Sequence, residues 1–405
     1  MAVIPLRGHR LQNRTVLISG AGIAGPTLAW WLRQHGFTPT LVEKAPAPRL
    51  GGYIIDFWGV GYDVAERMGL LPVLHRVGYR VEEVRIVNEL GQRISGFDAD
   101  VLRAATHGRY LSIMRGDLAQ AILSIVGDDV ETIFDDSVAH LAEDADGVTV
   151  AFEQAPTRRF DLVVGAGGLH SVVRKLVFGP ESRFEKYLGY YTAAFSSARY
   201  PHRDEGVYVS YAVPGRQVAR YALRDGRSAF FLILATDDST LAAARHDIEM
   251  QREAIRLAFG GIGWEMAEII AAMESADDLY FDAVAQVRLP HWSRGRVVLL
   301  GDAAYCPSLL AGQGSAFAMA GAHVLAHELM VANGDHRVAF AAYERRFKPF
   351  IDAKQRAAER FGGWFAPRTA TALRLRNMAT RVMNVPWLGP RLIARSLGDR
   401  FELAG

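Results

Sequence analysis

The stretch Thr15-Val-Leu-Ile-Ser-Gly20-Ala-Gly22-Ile-Ala-Gly25 decides the fold. Residues 15–19 form a short apolar, partly β-branched run that ends at a glycine, the pattern of a buried parallel strand. Residues 23–35 carry Ala, Leu and Trp at packing spacings, with Gly36 as a C-terminal stop, and predict a helix. Residues 38–43 predict a second strand. This β-α-β order opens a Rossmann-type α/β domain whose crossover is right-handed. Each glycine has a reason to be there. Gly20 makes the tight turn, Gly22 lets a pyrophosphate approach the backbone, and Gly25 lets helix and strand pack closely, with Ala24 beside it. Glu43 ends the second strand about twenty residues after the first glycine, where an acid accepts hydrogen bonds from an adenosine ribose; Lys44 follows it. These residues predict dinucleotide binding but do not separate NAD from FAD.

A second element does separate them. Arg296-Val-Val-Leu-Leu-Gly301-Asp302-Ala-Ala reads as a strand ending in Gly-Asp, and Gly312-Gln313-Gly314 then starts a long helix. A flavin needs both. Its ribityl chain is a polyol suited to an acceptor such as Asp302, and its reduced ring carries charge that a helix N-terminus stabilises. The alternative is a second strand-to-helix turn capped by an Asp.

The rest of the composition narrows the class. The 405 residues are 50% hydrophobic and 22% charged, an ordinary globular balance. Lys plus Arg number 46 against 44 Asp plus Glu, so nucleic acid is not expected as a partner. With one cysteine, Cys306, neither an intrachain disulfide nor a Cys-rich metal site can form, and no metal is expected. Residues 297–332 are the most apolar stretch, but Asp302, Gln313, His323, His327 and Glu328 interrupt it; a spanning helix is not expected, nor is membrane association. The first dozen residues lack a signal peptide's apolar core, so a cytoplasmic protein is expected. Residues 187–236 change character, with β-rich runs (YYTAAFSSARY, GVYVSYAV, SAFFLILAT) separated by turn residues, as in a mainly antiparallel sheet inserted in the α/β domain.

Three motifs in order make the chain resemble the class A FAD-dependent aromatic hydroxylases, the single-component flavoprotein monooxygenases that include para-hydroxybenzoate hydroxylase and the tetracycline-inactivating monooxygenases. They are Gly20 to Gly25, the segment Asp161-Leu-Val-Val-Gly-Ala-Gly-Gly-Leu-His-Ser-Val-Val-Arg174, and Gly301-Asp302 with Gly312-Gln313-Gly314. Arg115, in Met-Arg-Gly-Asp-Leu, stands where the family places an arginine on the FAD. The resemblance implies a discontinuous FAD-binding domain (residues 12–74, 101–177 and 282–335), an inserted substrate-binding sheet domain (75–100 and 178–281) and a helical C-terminal region (336–405). It implies non-covalent FAD, NADPH or NADH as transient electron donor, and hydroxylation of an aromatic or polycyclic small molecule by O2 through a flavin C4a-hydroperoxide. A monomer or homodimer is expected. Three positions depart from the family. Gly167-Gly168 replaces Asp-Gly, Tyr305 replaces a histidine, and Ser308-Leu309 replaces a proline pair, leaving Pro307.

No Ser-His-Asp or paired-carboxylate constellation stands out, so no catalytic side chain is assigned. The substrate pocket is expected between flavin and inserted sheet, lined by Tyr53, Phe57, Trp58, Tyr211, Arg220, Tyr305 and Pro307, a wide aromatic cavity with Arg220 as an anion anchor. Plain core packing is the competing reading for the sheet aromatics, since Tyr208 and Tyr211 fall on opposite faces of one strand. His170 reads as structural, Cys306 as a small buried filler, and the arginine-rich tail as a helix bridging the domains with a solvated basic face. Three alternatives remain beside the hydroxylase: a catalytically silent flavin- or ligand-binding protein on the same fold, to which Gly167 points; another flavin reaction such as epoxidation or Baeyer-Villiger oxidation; and an NAD-linked dehydrogenase, which Arg115 and Asp302 argue against.

Overall fold

The computed structural model describes residues 11–48, 51–237, 247–385 and 401–403, together with 241, 244, 245, 389 and 391. Arg395 and Arg400 of the arginine-rich tail lie outside the described residues. The opening stretch folds as its pattern predicts. Strand Thr15–Ser19 is central in a six-stranded sheet, flanked on one side by Thr38–Glu43 and Glu131–Phe134, on the other by Leu162–Gly165, Val297–Leu299 and Ser293–Arg294. All its pairings are parallel except the short edge strand Ser293–Arg294. Helix Ala24–Gln34 leaves the carboxyl end of Thr15–Ser19 at the point where the order of connection reverses, the place where open α/β sheets bind ligands.

The β-rich block builds a seven-stranded sheet, ordered Tyr280–Val287, Glu185–Ser197, Ser228–Ala235, Arg216–Ala222, Val207–Val213, Glu83–Val87 and Arg93–Asp98. Its pairings are antiparallel except Val207–Val213 with Glu83–Val87. Strand Tyr280–Val287 runs across residue 282, where the sequence suggests a return to the α/β domain; pairing with Glu185–Ala194 keeps it in this sheet.

Side-chain alternation gives the sheet two different faces. Tyr191, Phe195, Val209, Tyr211, Val218, Phe230 and Leu232 pack beneath helices Ile248–Phe259 and Met266–Glu274. Tyr190, Thr192, Tyr208, Tyr221, Phe231 and Ile233 occupy the other face; Tyr208 and Tyr221 lie toward a two-stranded pair, Ile54–Trp58 with Tyr110–Met114, and Tyr190 and Ile233 pack on Leu310 and Ala366.

Helix Gly314–Val331 is apolar on all sides because it runs through the core, between the first helix and helix His336–Phe365. Glycines let neighbours close on it: a Cβ on Gly321 would overlap the Tyr305 hydroxyl, and one on Gly61 would reach the Ala316 backbone. The tail does not present a solvated basic face throughout. In helix Ala370–Val382, Arg376 is buried and donates to the Gln217 side chain and the Phe365 carbonyl, and Arg381 donates to the Ile94 carbonyl. Arg381 thus satisfies a carbonyl of the sheet's edge strand, and Arg376 one at the end of helix His336–Phe365.

Helix Gly314–Val331 also carries a buried histidine group. His323 stacks edge-on against Trp31 and parallel to His327. Burial, then Arg67, lowers its pKa to about 3; burial and His327 lower that of His35 to about 4. Both are therefore neutral in the folded protein at pH values where the unfolded chain already binds protons, so stability falls as pH drops from about 6.5 toward 4. The urea midpoint is expected to decrease over that interval. A His323→Gln variant, neutral throughout, should show a shallower decrease; an unchanged slope would mean that His323 does not carry the effect.

Candidate active site

The carboxyl ends of the central strands meet around the glycine turn. Gly20 has φ +117°, a conformation that L side chains avoid, and a Cβ there would lie 2.5 Å from the Ala166 carbonyl oxygen. At Gly25 a Cβ would overlap the Gly20 carbonyl. Gly22 is different, because the nearest atom to an added Cβ would be an Arg115 guanidinium nitrogen at 3.9 Å. The space over Gly22 is open and faces a cation, a cradle shaped for a pyrophosphate. The Glu43 carboxylate accepts hydrogen bonds from the Ala21 and Ala45 amides at 2.8 and 3.0 Å, which fixes it at the mouth of that cradle. Lys44 beside it is exposed and Ala24 is buried, packed against Gly301.

The second element closes on the first. Gly301 has φ +65° and Asp302 opens a single helical turn, Asp302–Tyr305. Gly312 takes the left-handed conformation, Gln313 precedes helix Gly314–Val331, and a Cβ on Gly314 would lie 3.6 Å from an Asp302 carboxyl oxygen. The Asp302 carboxylate thus stands at the open N-terminus of an 18-residue helix. Burial raises its pKa, partly offset by the Arg115 charge and a hydrogen bond from the Cys306 thiol. Cys306 is itself buried, and burial followed by Asp302 pushes its thiol well up, so it is an inert filler.

Arg115 is the pivot between the two elements. Its amide donates to the Tyr53 carbonyl at 3.0 Å, its guanidinium reaches toward Gly22, and its charge acts on Asp302, Tyr53 and Tyr280. Tyr53 lies 5.6 Å from the Phe231 ring and 6.1 Å from that of Tyr280, both on the inner sheet face. Burial pushes its pKa up to about 12, with the Arg115 charge opposing. An aromatic cluster of Tyr53, Phe231 and Tyr280 therefore lies under the sheet, within the electrostatic reach of Arg115 and Asp302.

Several residues expected in the pocket lie elsewhere. Tyr211 sits on the helix-covered face, bonded to the Ile262 carbonyl. Arg220 is on that face as well. Its guanidinium pairs with Asp204 at 2.6 Å and Glu265 at 2.8 Å, so it is not offered to a ligand. Phe57 is 1% exposed and points into the α/β core, opposite in alternation to Asp56. Tyr305 packs with Trp292, Tyr343 and Phe347 and borders a separate cavity of about 350 Å³ with Leu289, Lys348 and Gln355. A bulky ring in the family's histidine position has turned inward over Gly321. Trp58 remains beside Gly312, and the Pro307 carbonyl accepts from Gln286.

Other groups became visible only in three dimensions. His170 bridges Glu181 and Asp282 at 2.6 and 2.8 Å. Carboxylates on both ring nitrogens hold both protons there, and they raise its pKa against the effect of burial. His170 thus ties the motif loop to the seven-stranded sheet, which agrees with a structural reading. Thr192, in register with Asp282 on the inner face, has a buried hydroxyl without a partner among the described residues. Only the strand pairing aims these residues at one another; no spacing in the sequence signals it.

A glycine cradle, an acid at a helix mouth and an arginine between them are the features of a flavin-binding protein. Comparison with known proteins agrees. Residues 13–357 match the FAD binding domain family. The chain is 36% identical over 354 residues to a flavin-dependent monooxygenase from an unknown prokaryotic organism, covering 87% of this chain and 89% of that protein. It is 38% identical over 343 residues to an uncharacterized protein of Mycobacterium tuberculosis strain H37Rv, covering 84% and 92%. The crystal structure of the tetracycline destructase Tet(51) superposes with a TM-score of 0.82 at 30% identity, covering 97% of this chain and all of that one. The chain belongs to the FAD binding domain family and, within it, to the class A FAD-dependent monooxygenases.

The geometry sets a test of the cofactor site. Asp302→Ala removes the acceptor at the helix mouth and should weaken FAD binding by roughly ten- to a hundredfold, the range for a lost charge-assisted hydrogen bond. The ratio of flavin to protein absorbance after gel filtration measures it. Retention equal to wild type would place the flavin away from Asp302.

Proposed function

We propose that this enzyme hydroxylates an aromatic or polycyclic small molecule held between the flavin and the inner face of the seven-stranded sheet. The observation that carries the reading is the aromatic cluster of Tyr53, Tyr280 and Phe231 under the sheet, coupled through Arg115 to Asp302 at the mouth of helix Gly314–Val331. When bound, FAD supplies the redox chemistry, taking electrons from NADH or NADPH and activating O2.

The chain's own residues then position and shield. Gly20, Gly22, Ala24 and Gly25 receive the pyrophosphate, and Glu43 with Lys44 lies at the adenosine ribose. Asp302 would accept hydrogen bonds from the ribityl hydroxyls, Arg115 would supply a positive charge to the cofactor, and Gly312, Gln313 and Gly314 would offer amide donors that favour a negatively charged reduced flavin. Residues 12–74, 101–177 and 282–335 serve as the FAD-binding unit. Residues 75–100 and 178–281 are the substrate unit, with strand Tyr280–Val287 shared between them, and 336–405 are the helical tail. Tyr53, Tyr280 and Phe231 exclude water from the reacting ring. Relatives whose names specify monooxygenation and tetracycline destruction support a polycyclic substrate. The reading extends to a cytoplasmic enzyme acting as a monomer or homodimer.

NADH and NADPH oxidation measured against phenols, quinolones and polycyclic polyketides should rise with one compound class and yield a product one oxygen heavier. Oxidation that no compound stimulates would favour the ligand-binding alternative. Gly167 provides a second measurement. It has φ −77°, and an added Cβ would meet no atom closer than 3.4 Å, so Gly167→Asp fits without strain. FAD retention should be unchanged and the KM for the nicotinamide altered at least about threefold, roughly the effect of one weak polar contact. An unchanged KM would mean that position 167 does not contribute to donor recognition here.

A further inference from the structure

The residue that matters in the strand Ile54–Trp58 is one that its hydrophobic neighbours conceal. Asp56 stands between Ile55 and Phe57, both buried in the core, while its own side chain points the opposite way and is exposed. Yet burial is the largest influence on its ionisation and raises its pKa. A side chain that is open to solvent-sized space and still deep in protein lines an interior cavity.

Across that cavity is the inner sheet face. Tyr208, which feels the Asp56 charge, packs there with Ile54, Tyr79 and Tyr221. The carboxylate is half satisfied. The Tyr110 hydroxyl donates to Oδ1 at 2.5 Å and the Ser112 hydroxyl to the same oxygen at 2.8 Å, and each hydroxyl is buried and fixed by the strand pairing. No described residue donates to Oδ2, and no described cation pairs with Asp56. Structural carboxylates in the same region differ: Asp278 uses both oxygens on Ser196, and Asp282 uses one on the Ala283 amide and the other on His170.

We propose that Asp56 is the polar anchor of the substrate cavity, its free Oδ2 accepting a hydrogen bond from a phenol or enol hydroxyl of the substrate while Tyr110 and Ser112 hold Oδ1 in place. The inference rests on the hydroxylase reading and adds to it a residue and a substrate feature. A neutral hydroxyl donor relieves the cost of a lone carboxylate in a site without cations. Drawing electron density from the O–H bond into the ring also enriches the carbons ortho and para to it, which are the carbons an electrophilic oxygen attacks. Asp56 touches the substrate directly in this account and removes no proton; the proton stays shared between the two oxygens.

The test uses FAD-loaded protein and the probe pair 1-naphthol and 1-methoxynaphthalene, alike in shape but only one of them a donor. Treatment with a water-soluble carbodiimide and glycine methyl ester, read by peptide mass spectrometry, should modify Asp56. 1-Naphthol should protect it and the ether should not. In flavin-absorbance titrations, wild type should prefer 1-naphthol by about tenfold, and Asp56→Asn and Asp56→Ala should lose most of that preference with flavin content unchanged. An Asp56 that stays unlabelled while exposed Glu66 reacts would overturn the proposal, as would no preference in wild type or a preference surviving in Asp56→Ala. A protein that oxidises NAD(P)H but never inserts oxygen would sink the hydroxylase reading and leave the labelling result standing. Oxygen insertion that is indifferent to Asp56 would do the reverse.

Discussion

Everything in the molecule depends on backbones meeting without side chains at the carboxyl end of the parallel sheet. Gly20 lies against the Ala166 carbonyl, Gly25 against the Gly20 carbonyl, and Gly301 against Ala24. One missing Cβ in each pair lets two strands and two helices converge within van der Waals contact. The convergence leaves an open lane above Gly22 and brings Asp302 next to the start of helix Gly314–Val331. Arg115 arrives from a separate element, held by the Tyr53 backbone. Binding site and packing constraint are the same feature.

This is why the α/β half was legible in the sequence. Close approach demands glycine, glycine at fixed offsets after an apolar run is rare, and Glu43 and Asp302 stand at the ends of strands whose apolar patterns are unambiguous. The seven-stranded sheet was legible as a sheet, since alternation and turn residues are local signals. Which face points at the cavity was not. Alternation separates Tyr208 from Tyr211 and Phe230 from Phe231, but only the position of helices Ile248–Phe259 and Met266–Glu274 decides which of each pair is covered. Arg220 misled for a related reason. A strand arginine looks available until Asp204 and Glu265, distant in sequence, are seen to occupy it. Asp56 escaped because it sits in a run of large apolar residues, where an aromatic pocket is the natural reading and the single acid looks incidental.

The two halves are fastened by polar links as well as by apolar clusters such as Tyr190, Ile233 and Val284 with Leu310. His170 joins the motif loop to Asp282 of the sheet, Gln286 donates to the Pro307 and Gln355 carbonyls, and Arg376 of the tail donates to Gln217. Buried polar links of this kind specify one arrangement, because a shifted sheet would leave each group unpaired. A fixed sheet holds the Tyr53, Phe231 and Tyr280 cluster at a constant distance from Asp302, which matters to a reaction that fails when the reacting atoms are an ångström too far apart.

The division of the seven-stranded sheet into a locked face and an open one has an evolutionary consequence. On the locked face, Phe195, Phe230, Tyr211 and the Arg220 ion pairs interdigitate with two helices, so a change there is felt throughout the core. On the other face, Tyr208 and Phe231 are partly exposed on the side that the proposed substrate would occupy. The partly exposed positions of that face can therefore drift with little effect on folding while the buried residues beside them hold the sheet in place. A duplicated copy of such a gene could acquire a new substrate through a few changes at alternate positions, which would let one scaffold diversify faster than its core sequence does.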